Sequence, residues 1–301
     1  MYVAVVGNGG GPAEFIEAYT GKAMKNKVVV ITGATSGIGQ VASEALAAKG
    51  ARMVLVARDP ARGADALARL KRVNAGADHR LHLADLSDIR DTRRVGAEIA
   101  AAEPRVDVLV NNAGALFNRR EVTAEGLERT FATNHMSYFV LTEALRDRLI
   151  ATGNARVVST ASGAHRGARL DLDDLQAVKG YKGFTVYSNS KLLNILWTRE
   201  LARSFAGTDV TVSCLHPGFV ATRFGDNSGG LLQRLMPLAK RFAITAEKGA
   251  ETIIHLASTP DGADSTGGYW YKCRPATPTP AGQDDAAAKR IWAESLRLAG
   301  G

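Results

Sequence analysis

Cysteines, aromatic residues and long apolar runs are all scarce in this chain, and each shortage removes a class of protein. The two cysteines, Cys214 and Cys273, stand far apart, with no CxxC pair and no His/Cys cluster. Neither a disulfide framework nor a structural zinc site fits that pattern, and no metal ligand is assigned. No apolar stretch approaches the roughly 18 to 20 residues that span a bilayer, and no charged region followed by a long apolar one opens the chain. The expectation is a reduced, cytoplasmic protein without a membrane span. Aromatic residues make up only 6%, and the Lys and Arg behind the net charge of +8 are spread along the chain. Nucleic-acid binding draws on a clustered basic face and stacking platforms, so no nucleic-acid partner is expected. A diffuse positive field suits the gathering of a phosphorylated cofactor instead.

What the chain does have is the 46% hydrophobic and 23% charged composition of an ordinary globular protein. Apolar, β-branched runs alternate with helical patterns at Val28–Ile31, Met53–Ala57, His79–Leu83, Val106–Val110, Arg156–Ser159, Val210–Leu215 and near Tyr269. Continuous apolar runs are strands buried on both faces, and their right-handed crossovers place helices on both sides. The sequence therefore predicts an α/β protein: a Rossmann-type doubly wound parallel sheet of about seven strands in a single domain. Residues 25–301 form that domain and residues 1–24 a lead-in. The early VAVVGNGGG is read as an extra strand or flexible lead-in, since Pro12 and the short distance to the next strand argue against a full βαβ unit.

Two motifs carry chemistry. The first is TGATSGIG, Thr32 to Gly39, between an apolar run and the helical pattern QVASEALAAKG. Strand, glycine turn and helix in that order present free N–H groups and a positive dipole end to a pyrophosphate. Gly33, Ser36, Gly37, Ile38 and Gly39 are its candidate cofactor contacts; an ordinary strand-to-helix turn is the bland alternative. The second is YSNSK, which puts Tyr187 and Lys191 one helical turn apart on one face. A cation beside a phenol lowers the pKa of the phenol, which ordinarily titrates near ~10. Alone, such a pair is equally a solvated helix face.

Taken in order, TGxxxGxG at 32–39, NNAG at 111–114, Asn134, Ser162, YxxxK at 187–191 and Pro217-Gly218 resemble the short-chain dehydrogenase/reductase family. The resemblance runs over roughly residues 25 to 300. Its nearest flavour is the retinol-dehydrogenase-like branch, through NNAGALFNRREVTAEGLERTFATNH, HPGFVATRF and the tail from GGYWYKCRP onward. Some members of that branch carry a membrane anchor ahead of the first strand, where this chain has MYVAVVGNGGGPAEFIEAYTGKAMKNK. The resemblance implies an oxidoreductase that moves a hydride between a nicotinamide and a carbonyl or alcohol of an apolar small molecule. It implies Tyr187 as acid and base, Lys191 as the group that depresses the tyrosine pKa and holds the nicotinamide ribose, and Ser162 as the partner of the substrate oxygen. Asn134 would position a water leading from Lys191 to solvent. Ser159 and Thr160 lie close to Ser162, which alignment with the family favours. The inserted segment RLDLDDLQAVKGYKGF is expected to border the substrate pocket, with His165 and Tyr181 as lining or structural residues.

For the cofactor, the resemblance implies Asp85 and the adjacent Leu86 near the adenine and Asn112 near its ribose, although NNAG serves equally to end a strand. Pro217 opens the loop whose Val220 and Thr222 would hold the nicotinamide carboxamide, Thr222 being otherwise a helix cap. Arg58, about 20 positions beyond the glycine turn, stands where an arginine accommodates a 2′-phosphate and an acidic residue binds ribose hydroxyls. NADP(H) is therefore favoured, and NAD(H) is the alternative should Asp59 turn in instead. Residues 219–247 contain a glycine-rich stretch followed by Leu231, Leu232, Leu235, Leu238 and Phe242 on one helical face. A substrate lid, a core-packed helix and a peripheral membrane contact all fit that pattern. A homo-oligomer is compatible with the family, and a dinucleotide-binding redox sensor without turnover is the alternative function.

Overall fold

The computed structural model describes residues 11–218, 244–264 and 266–300. Its strands are β1 Val28–Thr32, β2 Arg52–Ala57, β3 Arg80–Leu83, β4 Val108–Asn111, β5 Arg156–Thr160, β6 Thr211–His216, β7 Gly268–Tyr271 and β8 Arg274–Ala276. Its helices are α1 Pro12–Glu17, α2 Gly37–Ala48, α3 Pro60–Val73, α4 Ile89–Ala102, α5 Arg129–Phe131, α6 Ser137–Ala144 and α7 Arg146–Thr152. They continue with α8 Gly183–Ser204, α9 Ala246–Ser258, α10 Asp261–Asp264 and α11 Asp285–Leu298.

The strands form one eight-stranded sheet in the order β3-β2-β1-β4-β5-β6-β7-β8. All neighbours are parallel except β7 and β8. Alternation along a strand sends successive side chains to opposite faces, and the core divides accordingly. Val28, Val30, Val54 and Val56 join α4, α6, α8 and α11 on one face. Val29, Ile31, Met53 and Leu55 join α1, α2, α3 and α9 on the other.

The sheet has eight strands where about seven were expected, the eighth arising because Tyr271 pairs with Arg274 across a two-residue turn formed by Lys272 and Cys273. Both turn residues are left-handed, at φ 51° and 58°, without the glycine or asparagine that marks such a hairpin in a sequence. Pro275 is tolerated there because β8 is an edge strand. In the described part of the lead-in α1 packs on α2, and Phe15 and Met24 are buried in the core; VAVVGNGGG lies almost wholly outside the described residues. Residues 1–10 lie outside the described residues.

The register sets the location of the site. Thr32 is level with Val56, Asn111 with Ser159, Thr160 with Leu215, and His216 with Tyr271. The carboxyl ends of β1, β4, β5 and β6 therefore share one rim, and the loops after them face one crevice.

Candidate active site

The glycine turn is built for close approach. Gly33 and Gly37 have φ of 70° and 57°, a conformation costly for residues with a Cβ. A Cβ on Gly39 would sit 2.2 Å from the Gly33 carbonyl oxygen and 2.5 Å from Asn112 Nδ2. Ser36 is extended at the N-cap of α2 and makes no side-chain cap bond. The first N–H to find an intrahelical acceptor is that of Gln40, so those of Gly37, Ile38 and Gly39 have no acceptor among the described residues. Three open donors at a positive helix end, with no side chain in the way, fit a pyrophosphate. Gly39→Ala is expected to displace the turn and weaken dinucleotide affinity by about tenfold or more, the equivalent of one charge-assisted hydrogen bond. An unchanged dissociation constant by isothermal titration would refute this account of the turn.

Asn112 is a strut. Its backbone N–H and that of Ala113 donate to Thr32 Oγ1 at 2.9 and 3.0 Å, and its Nδ2 donates to the Thr32 carbonyl at 3.1 Å. Its Oδ1 accepts from Thr160 Oγ1 at 3.3 Å. The side chain thus ties the ends of β1, β4 and β5 together, as the strand-ending alternative implies. Asp85 Oδ1 accepts from the N–H and hydroxyl of Ser87, fixing the turn after β3, and the Leu86 side chain is buried in the core. Any contact of Leu86 with a dinucleotide therefore falls to its backbone. Arg58 is exposed directly after β2, while Asp59 Oδ1 caps α3 by accepting from the Arg62 N–H at 2.9 Å.

Tyr187, Lys191 and Phe184 share one face of α8. Lys191 Nζ donates to the Thr160 carbonyl at 3.0 Å and stands 5.6 and 5.8 Å from the ring centres of Tyr138 and Tyr187. The Ser162 side chain lies close enough to Tyr187 to favour the ionised phenol slightly, and its Oγ accepts from the Ala164 N–H at 3.2 Å. Ser159 is buried within β5. Both groups of the pair are buried, and burial disfavours their charged forms. Tyr187 is pushed up to about 12 by burial, against a small lowering from the Ser162 side chain, and burial brings Lys191 down to about 7. The expected depression of the tyrosine pKa by Lys191 is therefore not what this structure shows. Burial weakens the charge on Lys191 as it weakens that on the phenolate, and the loss of water around the phenolate dominates.

Asn134 lies in a π-helical turn, Ala132–Met136, between α5 and α6. Its Oδ1 accepts from the Ala115 N–H at 2.8 Å, and its Nδ2 donates to the Ala115 carbonyl and to Ser190 Oγ, both at 2.9 Å. The side-chain donors are fully used by protein, so a water held by Asn134 would rest on its remaining lone pairs. A Cβ on Gly114 would meet Lys191 Nζ at 3.3 Å and Asn134 Oδ1 at 3.4 Å, so both side chains border Gly114.

His216, at the end of β6, stacks on Tyr271 at 4.2 Å and accepts at Nδ1 from the Gly218 N–H at 2.9 Å. Burial lowers it to about 4, so the ring stays neutral and keeps that acceptor, and the turn after Pro217 is fixed at a Gly218 φ of 95°. Val220, Thr222 and nearly all of the expected lid lie outside the described residues. His165 and Tyr181 have structural partners. His165 Nδ1 meets the Ser162 carbonyl at 2.7 Å, and Tyr181 donates to the Phe117 carbonyl at 2.9 Å. The sequence reading missed Tyr138, whose hydroxyl donates to the Ala113 carbonyl at 2.8 Å, and Ser190. Neither belongs to a spaced motif.

A phosphate-ready glycine turn opposite a buried phenol and amine, on the rim of a doubly wound sheet, defines an NAD(P)-dependent oxidoreductase acting on alcohol or carbonyl groups. The chain belongs to the short chain dehydrogenase family, whose model matches residues 27–229. Its relatives place it in the retinol-dehydrogenase-like branch. Human retinol dehydrogenase 12 is 35% identical over 277 residues, which cover 92% of this chain and 87% of that one. A Streptomyces sp. (strain C5) protein named "Putative daunorubicin C-13 ketoreductase DnrU" is 37% identical over 280 residues, covering 92% and 94%. Among solved structures, a Burkholderia cenocepacia J2315 short chain dehydrogenase in complex with NADP superposes with a TM-score of 0.67. It is 25% identical and covers 82% of this chain and 96% of that one. No helix among the described residues is long and apolar enough to cross a membrane.

Proposed function

We propose that the protein is an NADPH-dependent reductase of a carbonyl on a bulky apolar molecule, with Tyr187 as proton donor. The observation that carries this reading is the buried Tyr187 phenol beside Ser162, with Lys191 one helical turn away and its Nζ 5.8 Å from the Tyr187 ring. Ser162 holds the substrate oxygen and Tyr187 supplies its proton, the phenol being protonated at neutral pH. Lys191 would hold the nicotinamide ribose hydroxyls. The glycine turn and the three open N–H groups of α2 would hold the pyrophosphate, and Asp85 would contact the adenine. When bound, the nicotinamide supplies the hydride. Phe184 supports an apolar substrate: it is 55% exposed although its ring centre lies 6.4 Å from that of Tyr187. Relatives named for retinol and for a daunorubicin ketone point the same way. Oxidation of NADPH in the presence of retinal, small aldehydes, ketones and quinones tests the function. A protein that binds NADPH and turns over none of them would be the redox sensor instead.

NADP(H) is preferred over NAD(H) in this reading because Asp59 is engaged as the cap of α3 and Arg58 makes no hydrogen bond or ion pair among the described residues. A guanidinium free to pair with a 2′-phosphate contributes about 1.5 to 3 kcal/mol, roughly ten- to a hundredfold in affinity. Arg58→Ala is expected to lose that factor for NADPH and to leave NADH binding within about twofold. Equal wild-type affinities, or a preference that survives the substitution, would overturn it.

A further inference from the structure

Behind the candidate site runs a buried chain of polar side chains that ends on the C-terminal helix. Ser295 of α11, His135 and Asn134 of the π-helical turn, and Asn194 and Ser190 of α8 are all buried. His135 Nε2 lies 2.8 Å from Ser295 Oγ, and its Nδ1 lies 3.3 Å from Asn194 Oδ1. Asn194 Nδ2 donates to the Asn134 carbonyl at 2.9 Å. Asn134 Nδ2 donates to Ser190 Oγ, which donates to the carbonyl of Tyr187 at 2.7 Å.

The donor directions follow from which atoms can only accept. The Asn134 carbonyl can only accept, so the Asn194 amide nitrogen faces it and the Asn194 oxygen faces His135. His135 Nδ1 then carries the hydrogen, and Nε2 accepts from the Ser295 hydroxyl. Burial holds His135 down at about 4, so it is the neutral ring that relays this orientation. The ring is also clamped by Phe131 at 5.4 Å and Trp197 at 6.4 Å. π-Helical turns are rare single-turn insertions in α-helices, often at functional sites, and here an external donor, the Asn194 amide, meets the Asn134 carbonyl.

We infer that Ser295 and His135 are positioning residues for the reaction: through Asn194 they set the π-helical turn, and with it Asn134, Ser190 and the Tyr187 end of the catalytic helix. The inference rests on the catalytic reading of Tyr187 and Lys191 given above. Neither Ser295 nor His135 touches the crevice, so the effect of losing them is on rate rather than on binding. In the full chain, Ser295→Ala is expected to lower kcat by about 5- to 50-fold, the range that small misplacements of reacting groups produce. KM and the NADPH dissociation constant should stay within about twofold of wild type.

The test measures kcat, KM and NADPH affinity for wild type, Ser295→Ala, Ser295→Thr and Tyr187→Phe, with the fastest carbonyl of the panel. Ser295→Thr restores the hydroxyl and is expected to recover most of kcat. If threonine is not accommodated, Ser295→Cys, with a weak donor of similar volume, is expected to fall with alanine. A wild-type kcat in Ser295→Ala or Ser295→Cys, or a rate loss matched by a loss of NADPH affinity, overturns the relay. A Tyr187→Phe variant as active as wild type overturns the underlying catalytic reading instead, so the two failures are told apart.

Discussion

Tyr187→Phe is expected to lose about 10²- to 10⁴-fold in kcat, the usual worth of a positioned general acid, while binding NADPH as the wild type does. The substitution removes one oxygen from a buried ring and leaves its packing against Phe184 in place. Ser162 Oγ keeps the Ala164 N–H, so the stability cost is at most that of one hydrogen bond, about 1 kcal/mol. A large effect on rate beside a small effect on melting temperature separates this role from a merely structural one. Steady-state assays under conditions where chemistry limits the rate, with NADPH titrations alongside, decide the matter. Near wild-type turnover would remove Tyr187 from the mechanism.

The architecture was legible because both faces of the sheet are buried. Val28 through Ile31 read as one apolar run, and the structure distributes alternate members of that run to opposite core layers. The glycine turn was legible because its requirement is steric and local: nothing larger than hydrogen fits at Gly39. The hairpin to β8 was not legible, since Lys272 and Cys273 adopt left-handed conformations that their residue types do not advertise. Nor was the relay from Ser295, because its members come from three separate segments and are joined only by tertiary hydrogen bonds.

The proton affinities of the central pair show the same division. Spacing places Lys191 beside Tyr187, but the sign of the tyrosine shift depends on how much water each group loses, and burial is a property of the assembled core. Asn112 makes a related point. Its type suggests a ligand contact, whereas three loops converging on it leave its amide occupied by Thr32 and Thr160.

Replacing Lys191 should make the protein less active and more stable at once. A buried amine whose pKa is lowered from 10.5 to about 7 opposes folding wherever the unfolded chain would hold that proton more tightly. Below pH 7 the penalty is at its fullest, on the order of 3 to 5 kcal/mol at about 1.4 kcal/mol per pKa unit. Between about 7 and 10.5 the folded lysine is neutral while the unfolded one is still charged, so the penalty shrinks as pH rises and is gone above the unfolded value. Lys191→Met removes it, at the cost of leaving the Thr160 carbonyl unpaired, about 1 to 3 kcal/mol. The variant is therefore expected to melt a few degrees above wild type near pH 6 to 7. The advantage should fall steadily and vanish or reverse by about pH 10. In the same variant kcat and NADPH affinity should both drop under the proposed function, because the side chain that would hold the ribose stands beside the Tyr187 ring. Thermal melts of both proteins across that range, compared as differences so that other titrations cancel, test the stability claim. A difference that stays flat with pH would mean that Lys191 is not the buried, depressed amine described here, and an unchanged NADPH affinity would remove its ribose-binding role.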